Sequence, residues 1–470
     1  MTTIMLIALA AAATALLLKP LAGAVAPVGT AASGVAASAP TSRSRDLRYL
    51  IVAIVASVVV MASLLGLAQT RDLSAGTDGS AAPAPYRVLE PRSGALPGEM
   101  SNVAAMIGAT TAWENGIDGT GVGIALIDSG VTPVAGLDAR GAVIDGPDFT
   151  TDAGTPAAHL DAAGHGTHLA GIIAARPEVA SGAAGDFTGI APGAHLVSLK
   201  ARAADGSTAN ADVTEAVRWA IANRALHDID VINLAYNTTG PSAALNAAID
   251  DAWAAGITVV VSAGNEGADG TTLAAPANNP NAIVVGGTDP AGTAAISDDR
   301  LGAYSSVGSD TLQPTLVAPG RSIVSAAAPD SEASSHPEAV VAPGLIKATG
   351  TSQASAVTAG AAALLKQQRP DLTPDQVKAA LIASANPLAG DPTGAGAGLL
   401  DIGRALQSPT PTFDRALPTP SSYEAIADLP VVAPWGSNSW GSNSWGSNSW
   451  GSNSWGSNSW GSNSWGSNSW

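Results

Sequence analysis

Four short apolar runs, each closed by a small or turn-forming residue, constrain this chain more than any other feature. They are Val122 to Ile127, Val231 to Leu234, Ile257 to Val261 and Ile283 to Val285, bounded by Gly, Asp or Asn. Their length suits strands, and their unbroken apolar character suits strands covered on both faces, as in a parallel sheet. Helical patterns alternate with them. Val213, Ala216, Val217, Ala220 and Ile221 mark one helix face. Thr373-Pro374-Asp375-Gln376 supplies a cap, a first-turn proline and a Gln at the third position, which starts another helix. Strands alternating with helices predict an α/β fold, a doubly wound and mostly parallel sheet flanked by helices, over 101–406.

The flanks of that domain differ from it. An apolar run at 4–18 is short for a membrane span, which needs roughly 20 residues. A second, 49–68, carries no charge and is rich in Val, Ile, Leu and Ala; it is the expected transmembrane helix. Lys19, Arg43, Arg45 and Arg48 lie between the two runs against Asp46 alone, while Arg71 is the one basic residue that closely follows the second run. The positive-inside rule places that basic segment in the cytoplasm and everything after Ala68 outside the cell membrane. A rival topology makes the first run a cleaved signal, but the start MTTIM has no basic n-region. The expected organisation is thus a membrane-anchoring region at 1–70, a linker at 71–100, the α/β domain, and a proline-punctuated linker at 407–434. From 435 to 470 the pentad Trp-Gly-Ser-Asn-Ser repeats without variation.

Charge and cysteine content exclude several functions. Asp and Glu number 38 against 21 Lys and Arg, so a nucleic-acid partner is not expected. With no cysteine, disulfides, thiolate metal sites and cysteine nucleophiles are ruled out.

Four segments carry candidate chemistry. The first strand delivers Asp128-Ser129-Gly130 at its carboxyl end, a usual place for an α/β active site, although a lone Asp there could simply cap a turn. Glycines at 119, 121 and 123 precede this strand, whereas a dinucleotide fingerprint must follow one. Gly164-His165-Gly166-Thr167-His168 surrounds a histidine with glycines that let its ring face a cleft; the two histidines have no acidic third ligand, so no metal site is expected. Gly350-Thr351-Ser352-Gln353-Ala354-Ser355 sets a serine at a helix start, where hydroxyl, backbone N–H and helix dipole converge. Ser262-Ala263-Gly264-Asn265-Glu266-Gly267 ends an apolar strand with an amide able to donate to a developing oxyanion.

Taken together and in this order, these segments resemble the subtilisin family of serine proteases, the subtilases. Gly189-Ile190-Ala191-Pro192, Val231-Ile232-Asn233 and Val317-Ala318-Pro319-Gly320 extend the resemblance. The resemblance implies that Ser352 is the nucleophile, His165 the general base and then acid, Asp128 its orienting partner, and Asn265 with the Ser352 N–H the oxyanion hole. It implies a serine endopeptidase with protein or peptide substrates and no cofactor. Structural calcium is common in the family, but no calcium-loop signature is read here. Two segments would wall the substrate groove: Gly206-Ser207-Thr208 as an edge that pairs with the peptide, and Ala235-Tyr236-Asn237 opposite. The latter departs from the family's Ser-Leu-Gly, and Tyr236 and Asn237 are expected to narrow or reshape the pocket. Ala356 stands where the family usually has proline. The alternative function is a pseudoprotease, a peptide-binding module with an altered groove. Membrane contact is expected through the N-terminal runs, and cell-wall contact through the Trp repeat.

Overall fold

The computed structural model describes residues 98–176, 187–238, 242–290, 296–390 and 392–410. Both N-terminal apolar runs and the Trp repeat lie outside the described residues, as do residues 71–97 of one linker and 411–434 of the other. Among the described residues no helix is long and apolar enough to cross a membrane.

Packing starts slightly before the expected boundary at 101. The Val324 N–H donates to the Gly98 carbonyl at 2.8 Å. Helix α1 already begins at Met100, running Met100–Met106, and α2 follows at Ala109–Glu114. At the other end Arg369 donates to the Ser408 carbonyl at 3.1 Å, so packing continues past 406. Buried contacts set these ends, where composition alone reads as linker.

The main sheet has the order β2-β3-β1-β4-β5-β6, with β7 and β8 both pairing β6. Its strands are β1 Gly123–Asp128, β2 Val143–Asp148, β3 His195–Lys200, β4 Ile229–Leu234, β5 Thr258–Ser262, β6 Ile283–Asp289, β7 Arg300–Leu301 and β8 Leu316–Pro319. Every pairing is parallel except that of β6 with β7. All six residues of β1 are buried, as its apolar sequence requires of a central strand. From β1 the chain passes to the edge strand β2, returns to β3 beside β1, and then crosses to β4 on the other side. That reversal makes the carboxyl end of β1 the place where a crevice opens, and β1 ends in Asp128. A small antiparallel sheet, β10-β11-β9, is formed by β9 Ile323–Ala326, β10 Val340–Ala342 and β11 Leu345–Ala348.

The longer helices are α3 His165–Ala174, α4 Asn210–Ala222, α5 Ala243–Ala254, α6 Thr351–Gln368 and α7 Pro374–Ser384, and α8 spans Ile402–Gln407. Helix α7 starts with the capping box foreseen from Thr373 and Gln376, each side chain bonding the other's backbone N–H. Helix α6 is buried from Thr351 through Lys366 and packs on β4, β5, β6 and β8. A helix apolar on all sides belongs in a core, and its many alanines let the sheet approach closely. Ala356 continues it without a break.

Candidate active site

The site gathers at the carboxyl end of β1. The Asp128 oxygens lie 2.8 and 2.9 Å from His165 Nδ1, with both residues buried. An ionised carboxylate only accepts, so the imidazole proton sits on Nδ1 and Nε2 becomes the basic face. The Ser129 N–H donates to Asp128 Oδ1 at 2.8 Å and fixes the carboxylate from the other side.

Two glycines put His165 there. Gly164, just before α3, has φ +88°, a left-handed conformation that lets the chain turn sharply into the helix. A Cβ at Gly166 would fall 2.1 Å from the Gly130 carbonyl oxygen and 3.3 Å from Asp128 Cβ. Only a residue without a side chain allows α3 this close to the end of β1. Further along, a Cβ at Gly171 would meet Ser325 Oγ at 2.4 Å, so α3 lies equally close to β9.

His168, three residues on, has a different fate. Its Nε2 lies 3.1 Å from the Ile323 carbonyl oxygen, and burial, then the neighbouring His165, lowers its pKa to about 3. It is a neutral packing residue that ties α3 to β9. Among the described residues no group of three or more His, Cys, Asp or Glu is placed to hold a metal ion.

Ser352 is the second residue of α6, and α6 packs directly on α3. Its hydroxyl is buried and makes no hydrogen bond within the described residues. Its carbonyl accepts from Ser355 Oγ at 2.8 Å, which stiffens the first turn. Asn265 follows β5 and is fully buried. The Thr351 N–H donates to Asn265 Oδ1 at 2.9 Å, and the Thr351 hydroxyl lies 3.1 Å from the same oxygen. With the amide oxygen held by a backbone donor, Nδ2 is the donating end. The residue that precedes the serine therefore orients the amide that would serve it.

Sequence reasoning missed Thr351 in this role, and it also missed Asp161. Asp161 is buried and accepts from Ser129 Oγ, the Gly164 N–H and the Thr167 N–H, each at 2.7 Å. Burial raises its pKa, against the pull of these donors. It thus fastens the turn carrying His165 to the residue after Asp128. The available signal was an Asp four residues before the histidine, next to glycine-rich turns.

The groove segments are placed as follows. Gly206 and Ser207 are half-buried, Thr208 is buried, and the segment folds on itself through the Ala203 N–H to the Ser207 carbonyl at 2.9 Å. Ala235, Tyr236 and Asn237 are all buried. Tyr236 donates its hydroxyl to Asn210 Oδ1 at the start of α4, and Asn237 Nδ2 donates to Ser262 Oγ at 3.2 Å. Each of these two side chains thus has a hydrogen-bond partner inside the protein, while Asn237 Oδ1 is buried with no partner among the described residues.

Residues 119–402 match the model of the subtilase family. The chain is 35% identical over 275 residues to the serine protease AprX of Bacillus subtilis (strain 168), covering 56% of this chain and 60% of that protein. It is 33% identical over 270 residues to subtilisin BL of Lederbergia lenta, covering 57% of this chain and 85% of that one. The crystal structure of fervidolysin from Fervidobacterium pennivorans, described as a keratinolytic enzyme related to subtilisin, superposes with a TM-score of 0.54 at 30% identity. That match covers 67% of this chain and 47% of fervidolysin, so the chain spans about half of fervidolysin and 60% of AprX. With the family model matched over more than half its length and the segments in the same order, this chain belongs to the subtilase family of serine-type endopeptidases.

Proposed function

We propose that this chain hydrolyses peptide bonds in protein or peptide substrates through Asp128, His165 and Ser352, by way of an acyl-enzyme, on the outer side of a cell membrane. The buried Asp128–His165 contact, at the start of a helix packed against the one that carries Ser352 in its first turn, carries the reading. Ser352 Oγ attacks the scissile carbonyl while His165 Nε2 takes its proton and later passes it to the leaving amine. Asp128 holds the tautomer and stabilises the cation. Asn265 Nδ2 and the Ser352 N–H receive the oxyanion, aided by the positive end of α6. Gly206–Thr208 and Ala235–Asn237 flank the bound peptide. Reaction of the full chain with a serine-directed fluorophosphonate, lost in Ser352→Ala, tests the assignment; equal labelling of both proteins would refute it.

The alternative, a pseudoprotease or peptide-binding module with an altered groove, rests on the departures at Ala235, Tyr236 and Asn237, and labelling by the same serine-directed probe separates it from an active protease. The location rests on the charge-free run 49–68 and the basic residues before it. Protease added to intact cells should reach the catalytic domain, and its protection would overturn this topology. The eight tryptophans of the repeat, spaced by Gly, Ser and Asn, suit weak repeated contacts with cell-wall polysaccharide, strengthened by linkage. Equal sedimentation with isolated cell wall, with and without residues 435–470, would remove that role.

A further inference from the structure

A buried cation lies beside the catalytic pair. Arg202 leaves the end of β3 next to β1: the Ala201 and Arg202 N–H groups both approach the Asp128 carbonyl, at 2.8 and 3.3 Å. The Arg202 side chain is only 6% exposed, and NH2 lies 3.5 Å from Glu332 Oε2, whose side chain is half exposed. A Cβ at Gly206 would sit 3.2 Å from the same nitrogen.

The segment carrying Glu332 belongs to the histidine's surroundings. The Glu332 N–H donates to the Ala162 carbonyl at 2.9 Å and the Ala333 N–H to the Ala163 carbonyl at 3.0 Å. A Cβ at Gly164 would fall 2.6 Å from Ser331 Oγ. The guanidinium therefore lies where the substrate-edge segment, the turn into His165 and the 331–333 segment meet. Burial draws its pKa down to about 10, opposed by Glu332, Asp161 and Asp128. It stays charged at neutral pH, within electrostatic reach of both buried carboxylates.

We propose that Arg202 is a positioning residue whose buried charge, balanced by Glu332, sets the charge environment of the Asp128–His165 pair and so the pH at which His165 begins to act as a base. This rests on the triad reading above. The charged and titratable groups coupled to the pair are Asp161 from the preceding turn and Arg202 on Asp128, and His168 on His165, with Glu332 and Asp205 acting on Arg202. His168 is neutral above about pH 3, so it does not change charge on the acid side of neutrality.

The two members of the ion pair act on His165 with opposite signs. Removing the cation eases protonation and moves the acid limb of the kcat/KM profile to higher pH. Removing the anion moves it to lower pH. For the full chain, Arg202→Met should shift the limb upward by about half a pH unit, and Glu332→Gln downward by less, since its carboxylate is half in water. Arg202→Lys should restore most of the wild-type position. A structural role would move both variants in one direction or neither, and either result overturns the proposal. If Arg202→Met fails to fold, Glu332→Gln decides alone, because an unchanged limb there also overturns it. Labelling by the serine probe separates the two readings: an unlabelled wild type defeats the triad, whereas labelled proteins with superimposable profiles defeat only the role of Arg202.

Discussion

Two regions of this domain bury carboxyl groups, and they do so on opposite terms. Around β1 and α3, Asp128 and Asp161 are bridged by Ser129 and surrounded by donors: a ring nitrogen, a hydroxyl and three backbone N–H groups. Beyond β6, Asp299 is 1% exposed and neither of its oxygens finds a hydrogen bond among the described residues. Its charged neighbours, Asp298 and Asp289, have the same sign. Burial, then these neighbours, pushes its carboxyl up to about 7. The first region surrounds its carboxyl groups with donors, and at Asp161 these pull the pKa down against the burial that raises it. In the second, a proton takes the place of a partner. Buried acid alone therefore does not mark a site; buried acid with aligned donors does.

The largest expected effect breaks the first region at its centre. Ser352→Ala, His165→Ala or Asp128→Ala should each lower kcat by about 10⁴-fold or more, and double variants should lose little further, because the three act as one unit. Steady-state kinetics on a chromogenic peptide reads this, and additive losses would show that the groups work separately. Next is Asn265→Ala, expected to cost about 10²–10³ in kcat with KM little changed, a magnitude measured on a subtilisin. Thr351→Val should reproduce part of that loss by releasing the amide. A Thr351→Val enzyme with wild-type kcat would show that the amide needs no such anchor.

Legibility followed the same division. The strands β1, β4, β5 and β6 and the capping box of α7 were readable, because apolar runs and turn chemistry are local properties. His165 and His168 could be told apart only by the family resemblance, since their spacing alone allowed a metal pair. Thr351, Asp161 and Arg202 were not readable in their roles. Each acts on a group brought near by the fold, and no local pattern announces such a partner. The partner of Tyr236 was equally illegible, since its hydroxyl donates to Asn210 on α4, 26 residues away in sequence.

Smaller effects sharpen the contrast. Asp161→Asn keeps the shape but turns an amide N–H₂ toward at least one backbone donor, and should cost about 2 kcal/mol of stability, measured by urea unfolding. A loss under a few tenths would mean that the donors are re-satisfied. Asp299→Asn should do the reverse and stabilise. Its folded pKa lies above the unfolded value, so between about pH 4 and 7 the folded state holds the extra proton, and stability falls as pH rises through that window. The gain on substitution should be near zero at pH 4 and reach about 1–2 kcal/mol, a few degrees in Tm, above pH 7. A gain independent of pH would point to packing instead of charge.

The order in which these groups enter the chain has a consequence for when the enzyme becomes dangerous to its own cell. Asp128 and His165 are 37 residues apart, whereas Thr351, which opens the nucleophile's helix, must find Asn265 across 86 residues. Such distant pairings form late, after the loop-closure entropy between them has been met. Helix α6 can seat only when β4, β5, β6 and β8 are all in place to receive it. On the proposed mechanism, a chain in which α6 has not yet docked would hold a histidine and its carboxylate but no serine to activate.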